Sequence, residues 1–236
     1  MYIMKSGNVI GTYDIADVDS IIFYEPVFVA GQPFTDLRDL NVYQTVQIGD
    51  QIWMAENLKY LPEVFSSSYS AENIPYYYVY GYDGADVSVA KATANYNTYG
   101  VLYNWTAAMN SGTSYADGNP SGIQGVCPAG WHLPSNAEWT ELRDFAAGVS
   151  HLMEAGDSHW TYDVGTNNTG FTALPGGMRN QANGSFSTIG DNGNWWTTSS
   201  ASTGDGAAVN IDYQSNILIG LLREKEYGYS VRCVKN

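Results

Sequence analysis

Three histidines, His132, His151 and His159, are the first residues to test for chemistry, because imidazole is both a general base and the commonest metal ligand. The run His151-Leu152-Met153-Glu154 lacks the second histidine that a metal-binding helix needs on the same face. His132 lies within Trp131-His132-Leu133-Pro134, where an imidazole bonded to backbone is the expected role. No serine stands in Gly-x-Ser-x-Gly, the carboxylates are dispersed without a pair suited to glycoside hydrolysis, and no phosphate loop or dinucleotide glycine fingerprint occurs. The expectation is a protein that is not an enzyme.

Acidic turns could hold Ca2+ through alternating carboxylate and carbonyl oxygens: Asp83-Gly84-Ala85-Asp86, Asp191-Asn192-Gly193-Asn194 and Asp205-Gly206. None completes an EF-hand, and such dipeptides are what turns favour in any case. No cofactor is therefore expected, and Ca2+ is carried only as a candidate. The aromatic run Tyr76-Tyr77-Tyr78-Val79-Tyr80-Gly81-Tyr82 could present a flat platform, since an alternating strand turns half its rings outward. Against that stands packing of the rings on one another over the core. Of Trp195 and Trp196, the same alternation buries one.

The elements that must position these residues sit in a chain of 236 residues with 44% hydrophobic and only 14% charged side chains, long enough to bury a real core. A net charge of −14 repels phosphate backbones and anionic head groups, so nucleic acid is not an expected partner. Cys127 and Cys233 form no CxxC or Cys/His cluster, which leaves one disulfide or two buried thiols. If bridged, a loop of that length contributes roughly 4 to 5 kcal/mol in the chain-entropy treatment, and an oxidising compartment would maintain it. Met1 to Ile10 contain no apolar leader core and no run of about 18 apolar residues occurs. Together with the composition, this reads as a trimmed or mature extracytoplasmic chain, touching a membrane only through a lipid anchor that this sequence does not contain.

Residues 1 to 26 read as a hairpin and a third short strand near Ile21-Ile22-Phe23, followed by a connector over residues 27 to 40. The expected division is an N-terminal strand segment at 1–38 and a main domain at 39–236. Val42 to Ile48, the Gly49-Asp50 turn and Gln51 to Met54 read as strand, turn and strand. Helical signals cover Tyr103 to Met109 and Ser135 to Ala147. The latter opens with a Ser135-x-x-Glu138 capping box, turns Trp139, Leu142 and Phe145 to the core and stops at Gly148. The class is α+β with irregular backbone dominating.

Several blocks go beyond generic patterning. These are Tyr43 to Leu58, Tyr99-Gly100-Val101-Leu102-Tyr103-Asn104-Trp105, Gly125-Val126-Cys127-Pro128-Ala129-Gly130-Trp131-His132-Leu133-Pro134-Ser135, Ala173-Leu174-Pro175-Gly176-Gly177, Trp195-Trp196-Thr197-Thr198-Ser199 and Tyr229-Ser230-Val231-Arg232-Cys233-Val234. In this order they resemble the Fibrobacter succinogenes major paralogous domain over about residues 40 to 236. The leading segment resembles a short leader found ahead of such domains in bacterial surface lipoproteins. The resemblance implies a C-type-lectin-like fold, with two helices, small twisted antiparallel sheets, a long irregular loop region and chain ends that meet in a sheet. It also implies a closing disulfide between Cys127 and Cys233.

True C-type lectins hold sugar and Ca2+ with Glu-Pro-Asn or Gln-Pro-Asp and Trp-Asn-Asp, and neither occurs here. The nearest analogue is Asn210-Ile211-Asp212, which with Asp205 makes up the candidate metal set. Formylglycine-generating sulfatase modifiers end similarly to Gly228-Tyr229-Ser230-Val231-Arg232-Cys233, but need a further pair of reactive cysteines.

The leading functional expectation is a cell-surface or secreted binding or adhesion module that recognises a protein or glycan. Its irregular region, residues 148 to 194, acts with the tyrosine run. The candidate contacts are Tyr76, Tyr77, Tyr78, Tyr80, His159, Trp160 and Tyr162. The alternative is a stalk or filament subunit that self-assembles through its N-terminal strands. A third is an enzyme of the sulfatase-modifier kind.

Overall fold

The computed structural model describes residues 2–5, 8–12, 30–112, 115–162, 165–199, 204–212 and 218–236. At the start, β1 (Tyr2–Lys5) pairs antiparallel with β2 (Asn8–Thr12), and the third strand expected near Ile21 lies outside the described residues. A second small hairpin, β3 (Phe34–Thr35) with β4 (Val42–Tyr43), follows. The expected boundary between residues 38 and 39 falls inside the loop of this hairpin. That loop is anchored on the main body: Asp36 is fully buried and Arg38 donates to the Val126 carbonyl at 2.9 Å.

The expected strand–turn–strand forms as β5 (Thr45–Ile48) and β6 (Gln51–Met54), and Gly49 takes a φ of 61° in the turn. Of the tyrosine run, only β7 (Tyr77–Tyr78) is a strand. Two short helices absent from the sequence reading come next, α1 (Val87–Lys91) and α2 (Ala94–Tyr99). Asp86 and Thr93 cap them through their side chains, a signal that was legible. After β8 (Leu102–Tyr103), which pairs with β7, the helix expected over 103–109 shrinks to α3 (Trp105–Ala108). Asn104 caps its start, and Asn110 and Ser111 turn left-handed just beyond it.

The strand β9 (Trp131–His132) precedes α4 (Asn136–Ala146), whose capping box is present as expected from Ser135 and Glu138. Two details differ. Phe145 is 61% exposed, because it covers the Gly49 turn from outside rather than entering the core. The left-handed stop is Ala147 at φ 56°, one residue before the expected Gly148. The chain continues through β10 (Gly176–Arg179), β11 (Phe186–Ile189), β12 (Asn192–Trp196), β13 (Asp205–Asp212) and β14 (Leu218–Glu224) to β15 (Val234–Lys235).

Few helices and several small antiparallel sheets make this an α+β protein. The larger sheets are β5-β6-β15-β9 and β12-β13-β14. In the first, the terminal strand lies between β6 and β9, Val234 opposite both Trp53 and His132. Cys127 and Cys233, both fully buried, are joined in a disulfide that ties this strand to the segment before β9.

An aromatic nest fills the space between α4 and the sheets: Trp139 lies 4.9 Å from Trp53, 5.7 Å from Phe171 and 5.6 Å from Trp195 by ring centroids. Each such pair adds about 0.5–1.5 kcal/mol beyond its burial. Trp195 and Trp196 are both fully buried, correcting the expectation that one faces out. The reason is that β12 is covered on both sides, Trp196 packing on Tyr229 at 4.6 Å.

His132 is bonded to side chains, not to backbone as expected. Nε2 meets Glu138 Oε1 at 2.5 Å and Nδ1 meets Asn236 Oδ1 at 2.7 Å. Two oxygen acceptors favour the doubly protonated ring. Burial lowers the His132 pKa, but the Glu138 hydrogen bond and charge outweigh it and the net shift is upward, with Asn236 adding and Lys235 opposing.

A group raised on folding contributes stability that is full below its unfolded value of 6.5 and is lost as pH climbs through the folded value. Urea unfolding between about pH 5.5 and 8.5 should therefore show stability falling above the unfolded value, with a flatter slope in His132→Gln. Reducing the disulfide should lower unfolding free energy by about 4 kcal/mol, measured on the Cys127→Ala, Cys233→Ala double variant against the parent.

Candidate functional site

The sheet β12-β13-β14 alternates sharply between its faces. Trp195, Val209, Ile211 and Leu218 turn into the aromatic core, while Asn192, Asn194, Asn210 and Asp212 share the opposite face. Register places Asn194 across from Asn210 and Asn192 across from Asp212. Near Trp196 and Ala208 that face is sealed by the first core cluster. Toward the other end it opens into a groove of about 460 Å³, walled by Thr188 and Met178 on one side and by Arg223, Glu224 and Tyr227 on the other.

The carboxamides are held rigidly. Asn210 Nδ2 donates to Asn194 Oδ1 at 2.9 Å and to the Gly193 carbonyl at 3.3 Å, and Asn194 Nδ2 donates to the Gly177 carbonyl at 3.1 Å. Asn192 Nδ2 donates to Asp212 Oδ2 at 3.1 Å. The carbonyl oxygens of Asn192 and Asn210 carry no bond to other described residues, so both acceptors serve the groove. Tyr227 stacks on buried Tyr229 at 5.5 Å, presenting a braced ring. Burial pushes the Tyr229 phenol well above the usual tyrosine range, so it stays protonated.

Thr188 departs most from ordinary geometry. Its φ of 59° is left-handed, unusual for a β-branched residue, and its hydroxyl oxygen is buried without a hydrogen-bond partner among the described residues. Strain and an unsatisfied hydroxyl in the wall of one groove are features that cluster at binding sites.

Other residues named from the sequence have structural tasks. Tyr76, Tyr77 and Tyr78 are 8%, 9% and 0% exposed, which corrects the platform expectation: rings of the run pack on one another and on Phe65. Arg179 stacks over Tyr78 at 4.8 Å, and Tyr80 packs on Phe186 at 5.1 Å. Tyr77 reaches a second groove, beside Tyr60. Trp160 is buried and donates to the Ala173 carbonyl at 3.0 Å. His159 is held by Glu154 at 2.8 Å and lies edge-on to Tyr99 at 5.7 Å, while Tyr162 is exposed. His151 caps the end of α4 through Ala146 O at 2.7 Å.

The metal set is corrected likewise. Asp205 and Asp212 end the same eight-residue strand, about 23 Å apart at strand rise. They cannot share one ion. Among the described residues no group of three or more His, Cys, Asp or Glu could hold a metal. Asp83 and Asp86 instead accept from Ser67 N and Ser88 N, and Asp191 from Thr161 Oγ1.

Of the groove residues, Asn210 was found in the sequence, and Asn192 and Asn194 were seen only as a turn. The two-residue spacing of Asn192 with Asn194 and of Asn210 with Asp212 was the available signal for a shared face. Thr188, Arg223 and Tyr227 carried none.

The architecture is thus an α+β, disulfide-closed domain with a groove on the carboxamide face of its three-stranded sheet. The sequence model of the Fibrobacter succinogenes major domain matches residues 46–235, and the chain belongs to that family. No curated protein and no solved structure matches it significantly.

Thr188→Gly should stabilise the fold by about 1 kcal/mol in thermal or urea unfolding, since glycine takes the left-handed conformation without strain.

Proposed function

We propose that the chain is a non-catalytic binding module of the cell surface or secreted space, and that its groove takes a neutral glycan. The observation that carries this is the fixed pair of unspent oxygens, Asn192 Oδ1 and Asn210 Oδ1, beside the braced Tyr227 ring. Sugar hydroxyls both donate and accept, and their C–H faces lie against aromatic rings. The groove's formal charges, Arg223 and Glu224, balance, which suits an uncharged ligand. Binding rather than chemistry is supported by what lines it: apart from that pair, the titratable groups among the described residues are phenols.

The disulfide supports an oxidising compartment. The strand closed between β6 and β9 and bridged ahead of α4 supports a C-type-lectin-like arrangement. Ligand selection here works through the carboxamides.

Titration calorimetry of the disulfide-bonded chain against cello-, xylo- and chito-oligosaccharides should give binding to at least one, insensitive to salt. Asn210→Ala and Asn192→Ala should each weaken it about tenfold or more while both remain folded by circular dichroism. Absence of binding throughout the panel, or affinities untouched by both substitutions, overturns the reading.

A further inference from the structure

The second groove, about 530 Å³, lies on a different part of the molecule, where Tyr60, Pro62, Pro75 and Tyr77 provide rigid walls beside Val126. Its volume is within the roughly 300–1,000 Å³ typical of ligand sites. Rings and prolines lose little rotamer freedom on binding, so contact with them is gained at small entropic cost.

Several of its polar groups have donors to spare. The phenols of Tyr60 and Tyr77 and the carboxamide of Asn110 make no hydrogen bond to other described residues, and all three supply N–H or O–H donors to the groove. Burial raises the Tyr77 phenol, Tyr60 and Glu63 raise it further and Arg38 opposes them, which puts these groups around one mouth.

The electrostatics are equally specific. Arg38 stacks on Tyr60 at 3.9 Å, and buried Asp36 grips its guanidinium side-on at 3.0 and 2.7 Å. That positive charge is cancelled within the wall. Glu63 makes no ion pair among the described residues, so the mouth carries one uncompensated negative charge.

We propose that this groove docks an extended, proline-containing peptide segment of another protein, with a lysine or arginine set against Glu63. Proline has no N–H, and a polyproline II segment has no internal hydrogen bonds, so such a peptide offers a row of carbonyl acceptors to a donor-rich wall. Aromatic-walled grooves recognise this conformation because it is already extended. A second copy of the chain would bring its own net charge of −14 against Glu63.

Fluorescence anisotropy on the full disulfide-bonded chain tests this with labelled Ala-Pro-Pro-Arg-Pro-Pro-Ala and its glutamate counterpart. The arginine peptide should bind about tenfold more tightly than the glutamate peptide at low salt, and Glu63→Lys should reverse that order. The double variant Tyr60→Phe, Tyr77→Phe keeps the rings and removes the donors; it should weaken the arginine peptide about fivefold or more with an unchanged melting temperature. Asn210→Ala should leave peptide binding as it is, separating this site from the sheet groove. No anisotropy change up to millimolar peptide, an order unaffected by Glu63→Lys, or competition by a neutral oligosaccharide that the tyrosine variant abolishes would each overturn the proposal.

Discussion

A buried guanidinium holds the structure together at its centre. Arg232 is fully buried and, among the described residues, spends its donors on neutral carbonyls: Asn57 Oδ1, at 2.8 Å from Nη2, and the backbone oxygens of Phe171 and Thr172. Burial pulls its pKa down to about 9, so it keeps its proton at neutral pH. A desolvated charge is tolerated only where each partner is fixed in place. Asn57 is fixed because its oxygen also accepts from Trp195 Nε1 at 2.8 Å and its amide donates to the Tyr99 carbonyl and to Ser230. The residue after β6, the loop before β10, the strand β12 and the last segment of the chain therefore share one node. The face of β12 that bears Asn194 is thereby set, since Ser230 N donates to the Asn194 carbonyl at 3.0 Å.

The same device recurs wherever long irregular backbone has to be held without sheet or helix. Asn104 accepts from Tyr76 N and Ala107 N while donating to the Ala71 and Ile74 carbonyls, capping a helix and pinning a loop with one side chain. Arg179, also buried, donates to the carbonyls of Ser67, Tyr69 and Glu226. Buried backbone groups must find partners, and in a loop-rich protein side chains provide them. This is why a chain with so few charged residues commits several of them to its interior.

Legibility in the sequence followed locality. The capping box of α4, the β5–β6 turn and the N-terminal hairpin depend on residues within a few positions, and each was readable. The order of six sequence blocks identified the family, because those blocks hold the hub residues Asn57, Asn104 and Arg232 and both cysteines. What failed depended on distant partners. Phe145 has the spacing of a core residue but lies over Gly49, and Trp195 and Trp196 are both buried because separate layers cover the two faces of β12. The tyrosine run read as display and proved to be filling, its rings stacked on Arg179, Phe65 and Phe186. Thr188 could not be found at all, since nothing local announces a left-handed β-branched residue.

Arg38 is neutralised through Asp36, and in the other groove Glu224 sets a formal charge opposite to that of Arg223, in a protein of net charge −14. A free arginine in either wall would recruit the anions that the acidic surface otherwise turns away, and selectivity would be set by charge alone. Discrimination then falls to the single charge of Glu63 in the second groove and to hydrogen bonds in both. Carboxamide oxygens and a hydroxyl line one groove, phenols and a carboxamide the other. The first offers unspent acceptors to a partner that can donate, the second unspent donors to a partner's carbonyls, and the sheet that carries the first is set by the segment anchored by Arg232.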